Sequence, residues 1–194
     1  MKLYAGGAKA FPEFVRLEGE KFAINADFRN ILRILAMVRD ANIADAKKIA
    51  KLRDWFIPAA TCEAAIKAFG EFINPANQGY NRGNPDGEAE RQFCYEFDGE
   101  EIYAGFLSEY GLDLFECGFL HWHKFRLMLA GLSEASLFKR KIALRFLDLS
   151  AISRDLPGFS EIMRAHGAVQ LPLLHDDADE AREAREFEDF WERV

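Results

Sequence analysis

The chain has 194 residues, 49% of them hydrophobic and 18 of them Phe, and carries a formal charge of −7. That is the length of one domain, or of a domain with an appendage, and it holds enough apolar material for a sizeable core. The negative balance argues against a general nucleic-acid binder, which needs clustered Lys and Arg against phosphates. The charge is uneven: residues 176–194 carry nine acidic and three basic side chains, so the rest of the chain is close to neutral. Cys62, Cys94 and Cys117 are odd in number and lack a CxxC spacing, which reads as free thiols in a reducing cytoplasm. The opening MKLYAGGAKAF lacks the apolar stretch of a signal peptide. No run approaches the roughly 18 apolar residues that span a bilayer. The expectation is a cytoplasmic protein that engages neither nucleic acid nor membrane.

In chain order, FVRLEGEKFAI (14–24) alternates on either side of Glu18-Gly19, the pattern of a β-hairpin. Helical periodicity follows through residues 26–73. Asn25 or Asp27 is the first N-cap, with Phe28, Ile31, Leu32, Leu35 and Val38 as an apolar stripe. Residues 44–56 predict a second helix with Ile49, Leu52, Trp55 and Phe56 inward, stopped by Pro58. Thr61 caps a third, striped by Ile66, Phe69, Phe72 and Ile73. NPANQGYNRGNPDGEAER (74–91) offers almost nothing to bury, and 74–92 reads as a linker between two helical halves.

Helices resume over 98–156. DGEE (98–101) is a capping box with Asp98 as N-cap and Glu101 at N3. Ile102, Tyr103, Phe106, Leu107 and Tyr110 follow as one face, and Gly111 suits a left-handed C′ position. Asp113 and Glu116 repeat the device for a helix running to Gly131, and SEASLFKRKIALRF starts another at Ser133. DLSAISRDLPG predicts a short helix broken at Pro157-Gly158, and FSEIMRAHG one more. Residues 157–194 form an extension ending in an acidic amphipathic helix, with Phe187, Phe190, Trp191 and Val194 on one side. The fold class expected is mainly α: a multi-helix bundle-like domain (1–156) with a short N-terminal β-hairpin, followed by that extension.

No catalytic or metal-ligating set emerges, and no cofactor is implied. The His-Trp-His at 121–123 is the obvious candidate. On a helix His121 and His123 point roughly 160° apart, whereas a helical metal pair needs i,i+3 or i,i+4 spacing. On a strand they would share a face, but the surrounding caps favour helix, and both are read as structural. The glycines of QGYNRGNPDG lack the GK[ST] of a P-loop, and no nucleophile elbow is present. Lys139, Arg140, Lys141 and Arg145 read as a solvated basic face. Phe187, Phe190 and Trp191 are the candidate partner-binding residues, either packed back on the body or presented to a groove on another protein.

Two stretches together resemble a known family. INADFRNILRIL (24–35) is similar to its N-terminal signature, and EIYAGFLSEYGLDL, LHWHKFRLMLAGL and RFLDLSAI within 93–152 are similar to its C-terminal block, in the family's order. This is the bacteriophage gp-fifteen family, encoded in the tail-assembly modules of long-tailed phages and prophages. The resemblance covers about residues 14–152, and none of its motifs carries a catalytic residue. At His123 the family is expected to have a second aromatic, which favours packing over metal binding. The family's gene position implies a tail assembly chaperone that keeps the tape-measure protein soluble, with other tail-assembly proteins as partners and a homo-oligomer left open. A minor structural tail component is the first rival. A small metal-dependent enzyme using His121 and His123 and a helical DNA-binding regulator are the others.

Overall fold

The computed structural model describes residues 11–17, 19–40, 42–73 and 93–171. Among these it is mainly α, with seven α-helices and one two-stranded antiparallel sheet. The expected linker at 74–92 and the acidic helix over 176–194 lie outside the described residues. The chain forms two compact units. Described residues of the first fall within 11–73 and 118–127, and those of the second within 93–117 and 128–171.

The first unit opens with the hairpin. Strands β1 (Phe14–Leu17) and β2 (Glu20–Ala23) pair Phe14 with Ala23 and Leu17 with Glu20. Gly19 supplies the left-handed turn residue at φ 90°, which an L side chain rarely adopts. Helix α1 (Phe28–Arg39) is capped by Asp27, whose carboxylate accepts from the Arg29 amide at 2.9 Å. Its buried apolar residues are Phe28, Ile31, Ile34 and Met37. The expected Leu32, Leu35 and Val38 are half-buried, so the inward stripe is rotated about one residue from the prediction. Both stripes have helical spacing, and only packing chooses between them.

Helices α2 (Asp45–Phe56) and α3 (Cys62–Ile73) end and begin at the punctuation expected, before Pro58 and at Thr61. The Thr61 hydroxyl accepts from the Ala64 amide at 3.2 Å. Phe56 packs edge-on to Phe69 at 5.1 Å and tilted against Phe72 at 5.3 Å, and these rings form the centre of the α2–α3 contact. Asn30 is buried and satisfied, its side-chain amide donating to the carbonyls of Asn25 and Trp55.

A distant piece of chain completes this unit. Residues 120–122 run extended beside the start of α1, with the Phe28 amide donating to the Leu120 carbonyl and the Trp122 amide to that of Ala26. Helix α5 (Trp122–Ala130) follows, and Phe125 stacks on Phe28 at 4.7 Å. Two of the stretches that carried the family resemblance therefore meet in space. The residues of α5 up to Leu127 belong to this unit, and Met128 onward to the other.

In the second unit α4 (Gly99–Tyr110) ends at Gly111, which takes the predicted left-handed conformation at φ 61°. The Gly111 and Leu112 amides close the helix on the carbonyls of Leu107 and Phe106. Helix α6 (Leu137–Arg145), capped by Ser136, packs on α4 and on α7 (Phe159–Val169). Only a single 3-10 turn, Leu149–Ala151, forms in the DLSAI stretch.

The capping box at 98–101 is overturned. Asp98 stands at the N-cap position but makes no side-chain cap; its carboxylate is fully buried and turned to α6. Arg145 grips it with two bonds, 2.8 Å to Oδ1 and 3.2 Å to Oδ2, while Lys141 lies 3.0 Å from Oδ1 and the Cys94 amide donates at 2.9 Å. Glu101 pairs with Lys141 at 2.9 Å instead of reaching back to the helix start. The basic face of α6 is likewise only partly solvated: Arg145 is 6% exposed, its Nε donating to the Val169 carbonyl at 2.7 Å. With Arg145 buried beside it, an Asp98 turned to cap the helix would leave that base unpaired in a dry site. Burial pushes the Asp98 carboxyl up, but bonds from Arg145, Cys94 and Lys141 outweigh it and hold it below the usual range.

Removing one partner strands the other charge in a dry site. Asp98→Ala is expected to destabilise the protein by about 3–5 kcal/mol, whereas Glu101→Ala, at the cluster's wetter edge, should cost about 1 kcal/mol or less. Urea unfolding of both variants checks this, and equal losses would contradict the ranking.

Candidate functional site

Two constellations concentrate side chains that folding alone does not obviously require. The first is built around the two histidines, and it corrects the expectation that they diverge. Helix α5 starts at Trp122, so His121 is still extended and the 100° helical step does not relate it to His123. Both rings turn to the same side, 5.2 Å apart, and both are buried. Phe72 tilts against His123 at 4.6 Å, and Phe11 stacks on His121 at 5.0 Å.

The hydrogen bonds define the chemistry of His121. Its Nδ1 accepts from the His123 amide at 3.1 Å, so its Nε2 carries the proton and donates to the Pro12 carbonyl at 3.0 Å. Both nitrogens of His121 are committed, which leaves it no lone pair for a metal. Burial lowers its pKa, against the raising effects of the Pro12 carbonyl and Glu13. Burial, His121 and Arg126 together push His123 down to about 4. Among the described residues no group of three or more His, Cys, Asp or Glu is placed to hold a metal ion. Cys62, Cys94 and Cys117 form no disulfide with one another; Cys94 is buried, and Cys62 and Cys117 are half-buried.

The second constellation lies in the second unit, on the outward side of α4 and the turn after it. The five apolar residues assigned to one face of α4 occupy two stripes about 100° apart. Ile102 and Phe106 are buried, while Leu107 is 45% and Tyr110 38% exposed. Tyr103 completes the outer stripe. Asp113 does not cap a long helix to Gly131; it organises the turn at 113–117, its Oδ1 accepting from the amides of Phe115 at 2.8 Å and Glu116 at 3.2 Å. Its Oδ2 accepts from the Tyr103 hydroxyl at 3.0 Å. Phe115 is thereby held against the Tyr103 ring at 5.0 Å while remaining 82% exposed.

The same patch is acidic. Between residues 93 and 117 there are seven Asp or Glu and no Lys, Arg or His. Asp98 and Glu101 are paired with Arg145 and Lys141, while Asp113 and Glu116 keep their charge beside Tyr103 and Glu109, bonded to Ser133, keeps its charge beside Tyr110. Phenol chemistry registers the local field: Tyr103 is raised by its bond to Asp113, by burial, and by the charges of Asp113 and Glu116. Sequence reading missed Leu107 and Phe115 as surface features. The available signal was angular, since a single stripe of a 12-residue helix does not hold all five apolar side chains. Phe187, Phe190 and Trp191 lie outside the described residues.

No helix of the described residues is long and apolar enough to cross a membrane. The described residues define a small, mainly α protein with large apolar side chains exposed on α4 and the turn after it. A family model described as Bacteriophage Gp15 protein matches residues 9–156, and the chain belongs to that family of phage proteins. No curated protein and no solved structure matches it.

The histidine pair carries a pH signature. Both folded pKa values lie below those of the unfolded chain, so on acidification the unfolded state binds protons first. Stability present above the unfolded value of about 6.5 is lost as pH falls toward the folded value, about 4 for His123. Asp98 acts lower, its stabilisation being lost as pH falls through a folded value below 3.8. His123→Phe should remove most of the loss between pH 6.5 and 4.5, a loss of roughly 3 kcal/mol at most from His123. Urea midpoints of the two proteins at several pH values measure this; parallel profiles would refute the assignment.

Proposed function

We propose that this chain is a non-enzymatic tail assembly chaperone for the tape-measure protein, acting in the cytoplasm of the bacterial host. The observation that carries the reading is the exposure of the apolar side chains Leu107, Tyr110 and Phe115 on a protein of a phage family. A long helical client exposes apolar stripes until tube subunits enclose it, and patches of this kind shield such stripes one turn at a time. Each contact is weak, and repetition along the client supplies the strength. Other tail-assembly proteins and further copies of this chain are the additional partners in this scheme.

Co-expression with the tape-measure protein of the neighbouring gene is expected to yield a soluble complex with several copies of this chain per client, read by co-purification and native mass. A client that stays insoluble while this chain elutes alone would count against the reading. Replacing Phe187, Phe190 and Trp191 together with Ala should weaken co-purification if the acidic segment holds the client. Unchanged client binding and oligomeric state would assign those rings no such role. A minor structural tail component is the second reading, favoured by the same exposed rings, and mass spectrometry of purified virions separates the two: the chaperone is absent from the finished particle.

A further inference from the structure

We infer that the outer stripe of α4 with Phe115 is a docking face for a basic amphipathic helix, one whose apolar stripe is flanked by Lys and Arg. This rests on the reading that the chain shields an apolar helical client, and it names the face and the chemistry of the segment bound.

Three observations converge on that occupant. Tyr103, Leu107 and Tyr110 stand at i, i+4 and i+7, a ridge of the kind that fits the groove between side-chain rows of another helix. The Phe115 backbone is held by Asp113 and its ring leans on Tyr103, so contact with a partner has less freedom to remove than at a free loop tip. The charge acting on these rings is negative, from Asp113 and Glu116 on Tyr103 and from Glu109 on Tyr110. Lys and Arg flanking an apolar stripe would lay their stems over the exposed rings and their charges toward these carboxylates. The chain's own segment 176–194, with nine acidic residues against three basic, has the wrong sign for the position.

The test uses the full-length protein and a labelled helical peptide of about 20 residues built from Leu and Lys at the helical period. Its controls are a counterpart with Glu in place of Lys and a shuffled peptide of the same composition. In fluorescence anisotropy the Leu/Lys helix should bind, and both controls should bind at least about tenfold more weakly. Phe115→Ser and Leu107→Ser should each weaken it by a similar factor with unchanged urea midpoints, both residues being exposed. Raising salt from about 50 to about 300 mM should weaken binding severalfold. Equal binding of the Glu or shuffled peptide, or an unaltered Phe115→Ser variant, would overturn the proposal. So would self-association of the free protein that Phe115→Ser abolishes, since a second copy would then be the occupant. Co-purification with the tape-measure protein tells the two readings apart. Wild-type co-purification that Phe115→Ser leaves intact removes the face but keeps the chaperone. Failure of wild-type co-purification removes the chaperone whatever the peptide does.

Discussion

Arg145 reaches from the end of α6 to Asp98 at the start of α4, and that buried contact orders the second unit. The guanidinium fills both carboxylate oxygens, spends its Nε on the Val169 carbonyl of α7, and so ties three helices through one side chain. Little else in this unit is as specific. Its apolar contacts are few enough that Phe146, Leu147, Leu156 and Met163 remain exposed. A charged pair in a dry site is seldom the most stabilising choice, but it tolerates few alternative arrangements, because any register that separates the partners leaves a bare charge inside. Asp98 anchors the start of α4, and Ile102 and Phe106 facing inward leave Leu107 and Tyr110 on the outer side.

The first unit is ordered differently, by rings and backbone. Asp27 caps α1 and also accepts from the Leu120 amide, so one carboxylate serves a local helix start and a junction 93 residues away. Phe28, Phe125, Phe72 and the two histidines then pack as a largely aromatic layer. Histidine in such a layer behaves as a neutral flat ring with one donor and one acceptor, which is how His121 is used. The expectation of an aromatic at His123 in the related family agrees with this: the position asks for a plate, and protonation works against it.

What could be read from the residues follows the range of the forces concerned. Thr61, Pro58, Gly19, Gly111 and the Asp27 cap act within a few residues, and the helices and hairpin they bound were legible. The inward stripe of α1 was off by about a residue, because Leu32 and Ile34 are equally apolar and only a neighbouring helix decides. Asp98 was misread for the same reason: its nearest sequence signal is a helix start, while its actual partner lies 47 residues on. His121 and His123 were placed on opposite sides because the helix was expected to run from the Asp113 cap, whereas it begins only at Trp122. At the candidate site, the acidity was visible in the composition of 93–117, but the exposure of Phe115 followed from a turn geometry that the sequence expressed only as another cap.

The first unit is assembled from two pieces of chain with the whole of α4 between them. During synthesis α1, α2 and α3 emerge first, with Phe28 lacking Phe125 and Phe72, already against Phe56, lacking the two histidine rings. Leu120 to Phe125 follow only after some fifty further residues have been added, several seconds at ordinary elongation rates of about 5–20 residues per second. For that interval the nascent protein holds open the slot that its own later segment will fill. The unit is complete only once residue 125 has been made, and a pause before residue 120 would prolong the time its aromatic face stays bare.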